Sequence, residues 1–202
     1  MSRPKIAIID YGVGNLWSIT GALLKGDAQP HIVKGIEGGG SYDGIVLPGV
    51  GAFKSAIENI DPSPLLERIE EGVPILGICL GLQILFSSSE EGGESVKGLG
   101  IMNGQIKKIP HAVKLPHIGW NTIAMVRESP LLEGVPSDAF FYFVHSYACL
   151  DVDSDYCSAI SVYGERFVSV ASKGRVYGTQ FHPEKSGAAG LRVLENFVKI
   201  AR

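Results

Sequence analysis

The sequence predicts an α/β fold: a single domain over residues 1–202, with a mostly parallel central sheet, helices on both faces and an antiparallel extension. Three observations lead there. Apolar strand-like runs and helix-like segments alternate through the first half, the pattern of βαβ units around a parallel sheet. Beyond about residue 100, short strand-like runs follow one another with only turn residues between, the pattern of antiparallel pairing. The 202 residues hold no internal repeat, low-complexity tract or long linker, so one large core accounts for the chain.

The elements follow in order. Ile6 to Asp10 is a short apolar run that reads as a buried parallel strand. The turn Tyr11-Gly12-Val13-Gly14 leads into a helix from Asn15 to Leu24, with Asn15 as its N-cap. His31 to Val33 is a short strand, Gly38-Gly39-Gly40 a loop, and Gly44 to Leu47 a third strand stopped by Pro48. Ala52 to Asn59 and Pro64 to Glu71 are helical. Val73 to Ile78 is a strongly apolar strand and Leu80 to Ser87 the helix after it. Ser87 to Gly100, rich in Ser, Glu and Gly, is expected to be a surface loop. The strand-like runs Ile101–Ile106, Phe140–Val144, Ser158–Val162, Val168–Ala171 and Val176–Phe181 supply the antiparallel extension, and an amphipathic helix from Ala188 to Ala201 closes the chain.

Composition narrows the function classes. Hydrophobic residues make up 45% and charged residues 19%, with a formal net charge of -3. That is the profile of a globular enzyme, with no basic cluster to hold nucleic acid. The longest apolar stretch, Val73 to Phe86, is broken by Gln83 and glycines and is too short to span a bilayer. Arg3 and Lys5 before Ile6 to Ile9 imitate a signal peptide, but Asp10 ends the run well short of an h-region. Cys79, Cys149 and Cys157 are an odd number without CxxC spacing, which points away from a zinc ribbon or disulfide framework and towards a reducing cytoplasm. The glycine strings at Gly12–Gly14 and Gly49–Gly51 lack the third glycine of a dinucleotide fingerprint. No P-loop and no metal cluster stands out, so neither cofactor nor metal is expected.

The sharpest local signal is Gly77-Ile78-Cys79-Leu80-Gly81, a nucleophile flanked by glycines between an apolar strand and a helix. A nucleophile elbow needs those glycines, because side chains two residues either side would collide with neighbouring backbone. The helix start presents amides and partial positive charge to Cys79, which favours a thiolate. The Leu80 N–H is placed to be one oxyanion donor. Taken alone, the string fits a structural cysteine in the core equally well. His182-Pro183-Glu184 changes the balance. It ends the Val176–Phe181 run, at the rim where α/β sites assemble. In an extended segment His182 and Glu184 project from the same face, so the carboxylate can fix the imidazole tautomer. The order, with the acid after the histidine, is not that of an ordinary α/β-hydrolase.

These residues resemble the class I, triad-type glutamine amidotransferases, whose fold is flavodoxin-like. The GxCxGxQ motif of that family is matched by Gly77 to Gln83, and its histidine motif by Phe181-His182-Pro183-Glu184. Within the family the chain is similar to the glutaminase subunits of imidazole glycerol phosphate synthases. That similarity rests on Ile9-Asp10-Tyr11-Gly12-Val13-Gly14-Asn15-Leu16, Leu47 to Phe53, Pro116-His117-Ile118-Gly119-Trp120-Asn121, Phe143-Val144-His145-Ser146-Tyr147 and His182 to Ser186. It covers essentially the whole chain in order.

The resemblance implies glutamine hydrolysis, with Cys79 as nucleophile, His182 as acid–base and Glu184 as its orienter. It implies an oxyanion hole from the Val50 and Leu80 amides, with Gly49 and Gly51 beside them allowing the Val50 peptide to turn away in an inactive form. Gln83 would hold the substrate, and Ser146 and Tyr147 would read its α-amino and α-carboxylate groups. Cys149 is not expected of the family and, like Cys157, is assigned to the core. The implied partner is a separate (β/α)8-barrel cyclase subunit in a heterodimer, receiving ammonia by a protected path. Asn15, Trp120, Tyr142 and Lys185 are the interface candidates. Three other readings remain open at this point: the glutaminase subunit of pyridoxal 5'-phosphate synthase, a non-catalytic binding module on the same fold, and a cysteine hydrolase of another acyl substrate.

Overall fold

In the computed structural model, which describes residues 2–12, 14–35, 41–93, 95–110 and 113–202, the first half follows the expected alternation. It runs β1 (Lys5–Ile9), α1 (Leu16–Lys25), β2 (Gln29–Val33), β3 (Gly44–Leu47), α2 (Phe53–Glu58), α3 (Pro62–Glu70), β4 (Ile75–Ile78) and α4 (Leu80–Ile84). The expected Gly38–Gly40 loop and the Val13 position of the first glycine turn lie outside the described residues. Asn15 caps α1, its side-chain oxygen accepting from the Ser18 N–H at 3.3 Å. Helix α3 begins before the expected Pro64, because Asp61 accepts from the Ser63 N–H at 3.0 Å and Pro62 suits a first turn.

The second half comprises β5 (Phe86–Ser89), β6 (Val96–Lys97), β7 (Met102–Lys108), β8 (His117–Thr122), β9 (Ala124–Met125), β10 (Phe140–His145), β11 (Tyr147–Cys149), β12 (Cys157–Tyr163), β13 (Glu165–Lys173), β14 (Val176–Thr179) and α5 (Gly187–Ile200). The main sheet has the order β2-β1-β3-β4-β14-β13-β12-β9. Its first five strands are parallel, and β13, β12 and β9 continue it antiparallel. Strand alternation divides the core into two layers. Ile6, Ile8, Val46 and Leu76 face α1 and α5 (Ile19, Leu23, Val193, Phe197), while Ala7, Ile9, Ile45, Leu47 and Ile75 face Phe53, Leu65 and Leu82. Burial on both faces is why these strands read as continuous apolar runs.

Three expectations need correction. Two of the five late runs leave the main sheet: β7 joins the small sheet β11-β7-β5-β6, and β10 pairs with β8. Helix α4 stops at Ile84, not Ser87, because Phe86 to Ser89 pairs with both β6 and β7. For the same reason the expected loop from Ser87 to Gly100 is partly strand, and Ser89 is buried. Among the described residues, no helix is long and apolar enough to cross a membrane.

Candidate active site

The site forms at the C-terminal ends of β4 and β14, which are adjacent and parallel, with Ile78 opposite Thr179. Cys79 leaves β4 with its N–H donating to the Thr179 carbonyl at 2.7 Å. It adopts φ 54° and ψ -105°, a strained conformation for a residue with a side chain. The glycines around it are required by close approach. A Cβ on Gly77 would lie 2.5 Å from the Gly81 carbonyl oxygen, and one on Gly81 would lie 1.8 Å from that of Leu47. The thiol is buried and faces the Val144 carbonyl at 3.8 Å.

His182 follows β14, its N–H donating to the Tyr142 carbonyl at 2.9 Å. Its Nδ1 lies 2.9 Å from Glu184 Oε1, and the two side chains are 2% and 1% exposed. They meet through a 3-10 turn, Pro183–Lys185, rather than along an extended segment. The proline favours that turn, and the Lys185 N–H and Ser186 hydroxyl both donate to the His182 carbonyl. Burial disfavours the imidazolium. The nearby Cys79 sulfur, with the hydrogen bond and charge of Glu184, outweighs it and holds the His182 pKa up at about 10. Nε2, the end left over by Glu184, is buried without a hydrogen-bond partner among the described residues, as is Glu184 Oε2.

Beside Cys79 lies a cavity of about 250 Å³, lined by Val50, Gly51, Leu80, Gln83, Ser146 and Tyr147 among others. That is smaller than the roughly 300–1,000 Å³ of sites for drug-sized ligands, and suits an amino acid. Gly49 packs behind it, where an added Cβ would meet Leu80 Cβ at 2.6 Å. The Leu80 N–H donates to the Gly49 carbonyl at 3.4 Å. In a trans peptide the N–H opposes the carbonyl, so the Val50 N–H points away from the position the Leu80 N–H addresses. Tyr11, whose hydroxyl donates to the Pro48 carbonyl, holds the start of this loop. Burial, and then negative charge at Cys79, push the Tyr11 pKa up.

The opposite wall is a hydrogen-bonded chain. Gln83 Nε2 donates to the Tyr147 carbonyl at 2.8 Å and to Gln180 Oε1 at 3.2 Å. His145 Nδ1 also donates to that carbonyl, at 3.0 Å, and its Nε2 lies 3.1 Å from His117 Nδ1. Burial pushes His117 down to about 4; burial and then His117 push His145 down to about 3, so both are neutral. Gln180 and His117 had no place in the sequence reading of the site. A glutamine within the largely apolar run Val176–Phe181 was the available signal for the first.

The surface candidates divide. Trp120 and Tyr142 are opposite in register with rings 6.0 Å apart, and Lys185 Nζ lies 5.7 Å from the Tyr142 ring centre. Ile118 and Phe140 extend this exposed apolar face. Asn15 caps α1. Cys149 and Cys157 are free and buried, and burial raises both thiols, Cys157 to about 11. Among the described residues no group of three or more His, Cys, Asp or Glu converges as a metal site.

Comparison with known proteins identifies the family. Residues 7–201 match the family model "Glutamine amidotransferase class-I". The imidazole glycerol phosphate synthase subunit HisH of Methanocaldococcus jannaschii is 47% identical, covering 96% of this chain and 99% of that one. The subunit of the same name from Moorella thermoacetica is 44% identical, covering 99% and 96%. Among solved structures, PurLQS from Thermotoga maritima superposes with a TM-score of 0.78 at 16% identity, covering 99% of this chain and 100% of that one. A crystal structure of a glutamine amidotransferase superposes at 0.74 with 18% identity, covering 97% and 98%; both show the shared fold. The chain belongs to the class-I glutamine amidotransferase family, in the branch represented by the HisH subunits of imidazole glycerol phosphate synthase.

Proposed function

We propose that the chain hydrolyses L-glutamine to glutamate and ammonia at Cys79 and feeds the ammonia to a cyclase subunit. That subunit would use it to make imidazole glycerol phosphate and AICAR in histidine biosynthesis. The observation that carries the reading is that Cys79 and His182 follow the ends of adjacent parallel strands, with Glu184 Oε1 2.9 Å from the imidazole Nδ1. In the first half-reaction the Cys79 sulfur attacks the carboxamide carbon and His182 takes the thiol proton. Collapse of the tetrahedral intermediate breaks the C–N bond, and His182 protonates the departing ammonia. Water then attacks the thioester, giving its proton to His182, and glutamate leaves as the thiol is restored. Gln83, with the backbone of Ser146 and Tyr147, holds the substrate's α-groups, and Gly49 and Gly51 leave room beside it.

The oxyanion hole in this reading is the pair of N–H groups of Leu80 and Val50. The Gly49 carbonyl now occupies the first of them. Rotating the peptide between Gly49 and Val50 by about half a turn would exchange that carbonyl for the Val50 N–H, and the flanking glycines ease the motion. The partner is a (β/α)8-barrel cyclase in a heterodimer in the cytoplasm, seated on the Trp120, Tyr142 and Lys185 face, with Asn15 at its margin. This face adjoins the His182 turn, since Tyr142 accepts from the His182 N–H and donates to Ser186 Oγ at 2.9 Å. The HisH relatives favour this partner over a pyridoxal 5'-phosphate synthase, and the Cys79, His182 and Glu184 set favours catalysis over a binding module. Gln83 beside the thiol favours glutamine over another acyl substrate.

One oxyanion donor is worth about 10²–10³ in rate. Glutamate release should therefore rise by at least about 10²-fold when the chain is mixed with its nucleotide-loaded cyclase. Equal rates with and without that partner would refute the coupling.

A further inference from the structure

Gln180 is the buried group beside the nucleophile that the triad does not use. It follows β14 directly and is fully buried, a costly place for a carboxamide unless its two ends are bonded. Which end faces which way is fixed by a backbone group. The Tyr147 carbonyl can only accept, so Gln83 must present its NH2 there, at 2.8 Å. The same nitrogen lies 3.2 Å from Gln180, which must therefore offer its oxygen. That turns the Gln180 NH2 onto Cys79 Sγ, at 3.5 Å. The usual ambiguity of amide orientation is thereby removed.

We propose that Gln180 is a further catalytic residue: its side-chain N–H donates to the Cys79 sulfur, stabilises the thiolate that attacks, and ties that sulfur to the Gln83–Tyr147 wall of the pocket. The inference rests on Cys79 being the nucleophile. The two neighbours of the sulfur select between its two states. The Val144 carbonyl, 3.8 Å away, can accept only from the protonated thiol. The Gln180 N–H bonds most strongly to the ionised sulfur, because a charge-assisted hydrogen bond is about twice as strong as a neutral one. The arrangement carries no charge of its own, so it supports the thiolate at every pH at which His182 works. It also links recognition to chemistry, since Gln83 bonds both to Gln180 and to the segment expected to read the substrate.

The test is the pH profile of Cys79 alkylation by iodoacetamide, read by mass spectrometry of the Cys79 peptide in the full chain. Wild type is compared with Gln180→Met, which fills the space without a donor, and Gln180→Glu, which keeps the shape and the acceptor but replaces the NH2. The other titratable groups around the pocket (His182 with Glu184, Tyr11, His145 and Glu91) are the same in all three. The expected result is a profile moved to higher pH in both variants. On its rising limb the rate at a given pH should fall about tenfold for Gln180→Met and further for Gln180→Glu, with a matching fall in kcat. An unmoved profile in a folded variant overturns the proposal even if hydrolysis slows, because a purely structural amide would slow turnover without moving ionisation. If Gln180→Met does not fold, Gln180→Leu, which also lacks a donor and adds no charge, decides in its place. Failure of the underlying reading looks different: Cys79→Ala would then still hydrolyse glutamine.

Discussion

Cys79→Ala should reduce glutamine hydrolysis to background, a fall on the order of 10⁴-fold or more, while the protein stays folded. Loss of the nucleophile from a triad disables the remaining members, because they act as one unit. His182→Ala introduced on top of Cys79→Ala should therefore cost almost nothing further. The fold should survive because alanine keeps the Cβ and the same strained φ of 54°, and the small buried sulfur leaves only a minor void. Cys79→Gly makes the contrast. It removes the Cβ from a conformation that side chains resist, and it should be more stable than Cys79→Ala by about 1 kcal/mol while equally inactive. Glutamate release and urea unfolding check both halves. Hydrolysis by folded Cys79→Ala would remove Cys79 from the mechanism.

Gly81→Ala should destabilise the protein by about 3 kcal/mol or more, its added Cβ making the closest contact of any glycine among the described residues. The added Cβ would sit 1.8 Å from the Leu47 carbonyl oxygen and 2.8 Å from its carbon. Both obstacles are backbone, so no rotamer change relieves them. Relief would require β3 to separate from α4 at the point where Pro48 and Gly49 enter the site. For a chain of this size the loss corresponds to a thermal midpoint lower by roughly 10 °C. Gly21→Ala, within α1 and with nothing among the described residues within 4 Å of its added Cβ, should instead be neutral or stabilising by up to about 1 kcal/mol. Calorimetry on the two variants separates a glycine required by contact from one that is merely tolerated.

How much of this was legible in the sequence follows from what each residue faces. Ile6 to Ile9, Gly44 to Leu47 and Ile75 to Ile78 are buried on both faces, so their runs are apolar throughout and announce themselves. Strand β8 does not, because every second residue faces out, and Ile118 and Trp120 are among those outside. Phe86 to Ser89 was hidden by its serines, whose backbone pairs on both sides while the composition says loop. At the site, the glycines of the elbow could be read because steric demand leaves glycine as the permitted residue. The pairing of His182 and Glu184 was readable from spacing, but the turn that joins them was not. The orientation of the Gly49–Val50 peptide has no sequence signature beyond its glycines. Gln180 offered only its polarity within an apolar run, because its role depends on Gln83 and Tyr147, which approach it only in the folded chain.

The central claim is that glutamine is opened by the Cys79 sulfur, and its most direct test is to trap the intermediate. Wild-type chain turning over glutamine with its cyclase partner would be quenched in acid and its peptides weighed. The account predicts a γ-glutamyl thioester on the peptide carrying Cys79, and none on those carrying Cys149 or Cys157, which lie buried elsewhere in the core. Steady release of glutamate with no adduct on Cys79, or with the adduct on another residue, would contradict it.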